Sequence, residues 1–82
     1  TAKVFPNPSR GEFVLDLTNY NDNDVTVVVF NQLGKVVYNK SISKNAQGEQ
    51  HAIDLSAYSN GIYFLKLTSD KEVTTKKIVI QK

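Results

Sequence analysis

The one histidine of the chain, His51, stands three residues before Asp54, with Ser41, Ser43, Ser56 and Ser59 close by in sequence. These are the residue types of a serine hydrolase, in which an imidazole takes the hydroxyl proton and a carboxylate orients the imidazole. Their spacing argues against that chemistry. His51, Ile53 and Leu55 alternate with Gln50, Ala52 and Asp54 as a strand does, and on a strand residues i and i+3 point to opposite faces. The glycine-flanked turn that presents a serine nucleophile is missing as well. No catalytic residue is assigned, and the chain reads as a non-enzyme.

A second cluster, Asn19, Asn21, Asp22, Asn23 and Asp24, offers oxygen ligands of the kind calcium takes. An EF-hand loop would add further acceptors, a glycine at its sixth position and a closing glutamate, and none follow. Asn and Asp bonding their own backbone in a turn is the simpler chemistry. No metal and no cofactor are expected.

Lys66, Lys71, Lys76, Lys77 and Lys82 make the last third basic, while Glu12, Asp16, Asp22 and Asp24 make an early stretch acidic. Ten basic against eight acidic side chains leave a charge of only +2, too little for a nucleic-acid protein. A single-strand groove would also need exposed aromatics between the lysines. Phe30, Tyr38, Tyr63 and Phe64 lie in the most apolar segments and are expected in the core instead. Lysines on a last strand can simply guard a sheet edge. With no tryptophan, a sugar platform would rest on the four tyrosines, so a carbohydrate-binding or adhesive module stays as the alternative function.

The elements that position these residues are strands. Pro6 and Pro8 stiffen the opening, and Phe5 and Asn7 before them are extended. Phe13, Leu15 and Leu17 alternate with Glu12, Asp16 and Thr18, the period of a half-buried strand. A polar loop over residues 19–24 leads to the β-branched run Val25 to Phe30. Asn31 to Gly34 turns the chain, with Gly34 at a positive φ. The returning strand, Val36 to Ile42, has Val36, Tyr38 and Ile42 as its inner face. A loop over residues 45–48 precedes the His51 strand, Gly61 opens the run Ile62 to Leu67, and Val73 to Ile80 is last.

Six or seven short strands without a 3.6-residue period predict an all-β fold: an antiparallel two-sheet β-sandwich of Ig-like, Greek-key type, with a small closed barrel as runner-up. At 82 residues with no cysteine, one domain must hold on a single core rather than on disulfides. The longest apolar runs, Val27 to Phe30 and Ile62 to Leu65, are far too short for a helical membrane span, and no membrane insertion is expected. Thr1-Ala2-Lys3 lacks both a methionine and a signal region. Residues 1–82 are therefore read as the last domain of a longer protein, with residues 1–3 as a linker remnant.

One ordered set of motifs goes further. Val4-Phe5-Pro6-Asn7-Pro8, Gly11, Asn31 to Gly34-Lys35-Val36, Ile53-Asp54-Leu55-Ser56, Gly61-Ile62-Tyr63 and Lys76-Lys77-Ile78-Val79 occur in that order. In this the chain resembles the type A C-terminal sorting domain of type IX secretion cargo from Bacteroidota, over Val4 to Lys82. Asn31 departs from the aspartate frequent before the hairpin, which leaves the turn intact. The resemblance implies a secretion and sorting signal. It implies a cargo domain in cis, passage through the periplasm, and recognition by an outer-membrane translocon. A surface sortase then removes the domain, leaving the cargo at the cell surface or secreted. Pro6, Asn7, Pro8, Gly11, Gly34, Gly61, Tyr63, Lys76 and Lys77 become the recognition residues by the same resemblance. No nucleic acid is implied among the partners.

Overall fold

The computed structural model describes residues 2–82. Its strands are β1 (Lys3–Phe5), β2 (Glu12–Asp16), β3 (Asp24–Asn31), β4 (Val36–Ser43), β5 (Gln50–Asp54), β6 (Gly61–Thr68) and β7 (Val73–Ile80). A one-turn helix, α1 (Lys44–Gln47), stands where a plain loop is expected from sequence. The strands form two antiparallel sheets, ordered β1-β2-β5 and β4-β3-β6-β7. This is the two-sheet sandwich the alternation predicts, not a closed barrel. Of the linker expected over residues 1–3, Thr1 lies outside the described residues, Ala2 is buried, and Lys3 pairs with Asp16 in β1.

The core fills the space between the sheets. Phe13, Leu15, Leu17, Ile53 and Leu55 come from one side, and Val25, Val27, Val29, Ile42, Leu65, Leu67, Ile78 and Ile80 from the other. Each is almost fully removed from water, and burying such a side chain contributes about 1.5–3 kcal/mol. The alternation of Phe13, Leu15 and Leu17 maps directly onto the buried face.

Two expectations fail on the larger sheet. The register of β3 with β4 shifts after Val29↔Tyr38 to Phe30↔Val36, leaving Val37 as an extra residue. Such a bulge turns the following side chains: Val36 is 53% exposed, while Val37 and Tyr38 pack against the core. Phe30 and Phe64, expected in the core, pair with each other on the outer face and are only half-buried. Both belong to runs whose inward positions are already taken by Val27, Val29, Tyr63 and Leu65.

The edges of this sheet carry charge. Lys40 of β4 sits opposite Val27, and Lys76 of β7 opposite Leu65. An ammonium on the core-side register of an edge strand discourages pairing with another sheet.

Candidate functional site at the meeting of the two chain ends

Between β1 and β2 the chain runs along the free edge of β7. Proline has no N–H to donate, so residues 6–8 cannot form an ordinary ladder there. The Asn7 side chain replaces it. Its Nδ2 donates to Lys77 O at 2.8 Å, and its Oδ1 accepts from Val79 N–H at 3.0 Å. Backbone pairing then takes over in a parallel bridge: Ser9 N–H donates to Val79 O at 2.9 Å, and Gln81 N–H to Ser9 O at 2.7 Å. The Phe5–Pro6 and Asn7–Pro8 bonds are both cis.

Gly11 closes this segment against the other sheet. Its N–H donates to Ser9 Oγ at 3.1 Å, and its carbonyl accepts from Leu55 N–H at 2.7 Å. At φ 109° a β-carbon here would lie 2.7 Å from Ser56 Cα, so the residue is fixed by contact as well as by conformation. Gly34, at φ 86°, has open space around it and serves the β3–β4 turn alone. That turn is tied by Asn31 Oδ1, which accepts from Leu33 and Lys35 N–H.

The chain end is held in the same region. Lys82 N–H donates to Asn60 Oδ1 at 3.0 Å, and its ammonium donates to Ser56 O at 2.5 Å and Tyr58 O at 2.7 Å. Gly61 begins β6 beside it, and Tyr63, 5% exposed, donates its hydroxyl to Ser59 O at 2.7 Å. The family motif thus divides. Gly11 and Tyr63 act from inside the fold, whereas Pro6, Asn7, Pro8, Gly34 and Lys77 are exposed and Gly61 and Lys76 are half-buried. Of the exposed members, Pro6, Asn7, Pro8 and Lys77 lie along one edge, although Asn7 and Lys77 are 70 positions apart.

Ser9, Lys44, Asn60 and Lys82 do structural work that sequence reasoning missed. A lysine in a loop or at a chain end is ordinarily solvated, so no local signal marked Lys44 or Lys82. Lys44 organises the Asx-rich loop: its ammonium donates to Tyr20 O and, at 3.4 Å, to Leu17 O. Its own N–H donates to Asn23 O, while Asn23 Oδ1 accepts from Asn45 N–H. Asp22 faces Lys71 at 3.6 Å. Among the described residues, no group of three or more His, Asp or Glu side chains could hold a metal.

The hydrolase residues do not converge. His51 is buried, facing inward opposite Leu15, with Nε2–H donating to Gly48 O at 2.9 Å. Asp54 is on the other face and accepts from Ser56 N–H. The Ser56 hydroxyl, and after it the Ser56 N–H, holds the Asp54 carboxyl below the ordinary aspartate range. Asp16 is lowered in the same way by the Thr18 hydroxyl and N–H. No described helix is long and apolar enough to cross a membrane.

A family model described as "Secretion system C-terminal sorting domain" matches residues 3–81. No curated protein matches the chain.

Proposed function

Since the chain belongs to the secretion system C-terminal sorting domains of type IX secretion, a family of signals rather than catalysts, we propose that the folded domain is read at the edge where its two ends meet. The observation supporting this is the pairing of the Pro6-Asn7-Pro8 segment with Lys77 and Val79. Two motif pieces from opposite ends of the sequence become one exposed surface, which exists only after folding. A component of the export machinery that binds this edge tests sequence and fold together. Lys76 and Lys77 add positive charge, which steers docking more than it adds affinity.

In this scheme the domain ends a longer cargo protein, passes through the periplasm with it, and is removed by a sortase at the cell surface. The test is to fuse residues 1–82 behind an inert, folded periplasmic reporter in a type IX-competent host. Delivery of the reporter to the surface or the medium is expected. A reporter left wholly in the periplasm, with the domain folded, would overturn the proposal.

A further inference from the structure

The outer face of the larger sheet is unusually apolar for a surface that no third layer of the described residues covers. One row across the strands reads Val36, Phe30, Phe64 and Lys77. The row on one side holds Asn39, Val28, Lys66 and Thr75, and on the other side Ile62 pairs with Val79. Phe30 and Phe64 stand 6.1 Å apart between ring centroids, tilted by 33°. Val28, Phe30, Ile62, Phe64 and Val79 are half-buried, and Val36 is about half exposed. An antiparallel sheet with one face on the core ordinarily turns polar residues to water on the other. Here the centre is aromatic and branched-aliphatic, and polar Thr26, Ser41 and Thr68 lie toward one end.

Charge gives this face a sign. Lys66 and Lys77 flank Phe64, and among the described strand residues on this face the only acid is Asp24, at the far end. The outer face of the smaller sheet has the opposite balance, with Glu12, Asp16 and Asp54 around the row Phe5, Val14 and Ala52 and one base, Lys3, opposite Asp16. The strands of the sandwich thus present a net basic outer face on one side and a net acidic one on the other.

We propose that the Phe30–Phe64 face is a docking surface for a protein of the export machinery presenting an apolar centre ringed by carboxylates. This rests on the sorting function proposed above and names a second surface for it, continuous with the Asn7 edge through Lys77. Partly exposed aromatics at the middle of a patch are the usual anchors of protein recognition. The lysines select an acidic rim and disfavour a symmetric face-to-face pair of this chain, which would set like charges together.

The experiment uses the reporter fusion with three double variants. Phe30→Thr with Phe64→Thr removes the anchors and keeps β-forming residues. Lys66→Glu with Lys77→Glu reverses the charge at exposed positions, and Lys66→Arg with Lys77→Arg keeps it. The Thr and Glu pairs are expected to lower surface delivery about tenfold or more, the change a lost anchor of roughly 1.4 kcal/mol produces. The Arg pair is expected to export like the parent.

Melting of each isolated domain identifies any variant that fails to fold. If the Thr pair does, the Glu pair decides alone. Normal export of a folded Glu pair overturns the proposal, as does an Arg pair that fails as badly as the Glu pair. Sedimentation of the unaltered domain covers the remaining occupant. A monomer supports the proposal. Polymers that vanish in the Glu pair would mean that the acidic face of a second copy sits there, and would overturn it. Retention of the unaltered fusion would sink the sorting function itself, whereas export of the parent and the Glu pair alike leaves that function standing and sinks this docking face together with a recognition role for Lys77 at the edge.

Discussion

Val27 and Val28 are neighbours of one residue type with different fates: the first is wholly buried and the second lies half-buried on the outer face. Leu65 and Phe64 repeat the contrast one strand over. The two faces of the larger sheet are therefore similar in composition at their centre, and the smaller sheet covers only one of them. Apolar residues on the covered face hold the fold. Those on the open face are free for a partner.

The widest separation between the faces should appear in stability. Leu65→Ala is expected to cost about 2–5 kcal/mol, the range for a buried leucine left as a cavity. Phe64→Thr should lose only its cross-strand pairing with Phe30, about 0.2–1 kcal/mol. Urea unfolding of both variants checks this, and equal losses would erase the distinction between the faces.

Next comes Gly11, where contact and conformation coincide. Gly11→Ala is expected to destabilise by roughly 1–3 kcal/mol, because its methyl would meet the Ser56 backbone. Gly34→Asn, in open space and at a φ that asparagine tolerates, should cost clearly less. Thermal melts that rank the two the other way would show that the Gly11–Ser56 contact is not what fixes the residue.

Asn7→Ala removes two hydrogen bonds to β7, an expected loss of about 1–2 kcal/mol. Amide exchange at Val79 should accelerate with it, since that N–H loses its acceptor. Unchanged exchange there would mean that the side chain is not a rung of the ladder.

Small effects of pH follow from Asp16 and Asp54. Both folded carboxyls are held below the ordinary range by neighbouring hydroxyl and N–H donors. Their contribution is therefore present above the unfolded value of about 3.9, and is lost as pH falls through the lower folded values. The melting temperature should drop below about pH 4, and the combined Asp16→Asn and Asp54→Asn variant should drop less steeply.

The faces were unequally legible in sequence for the same reason that they differ in role. Phe13, Leu15 and Leu17 alternate with polar residues, so their burial could be read from period alone. Val27 to Phe30 and Ile62 to Leu65 are apolar at every position, and a continuous run does not say which side is covered. Phe30 and Phe64 were misplaced for that reason, and Val36 because an extra residue at Val37 carries no local signal. The Gly34 turn was legible because its geometry is set within four residues. The pairing of Asn7 with Lys77 and Val79 was not, since it depends on where β7 lies after folding. A recognition role for the motif residues is implied by resemblance. The placement of Pro6, Asn7, Pro8 and Lys77 along one edge came only from the structure.

The sorting role and the fold should come apart most cleanly at β7. Lys77 is exposed and Lys76 half-buried at the rim, so Lys76→Gln with Lys77→Gln should change stability by no more than about half a kcal/mol. The decisive measurement is the surface fraction of the reporter fusion carrying this pair, beside the unaltered fusion, with the melt of each domain taken in parallel. Surface delivery of the unaltered fusion, with the variant folded but held in the periplasm, is the expected result. Equal delivery of both at equal melting temperature would contradict recognition at this edge.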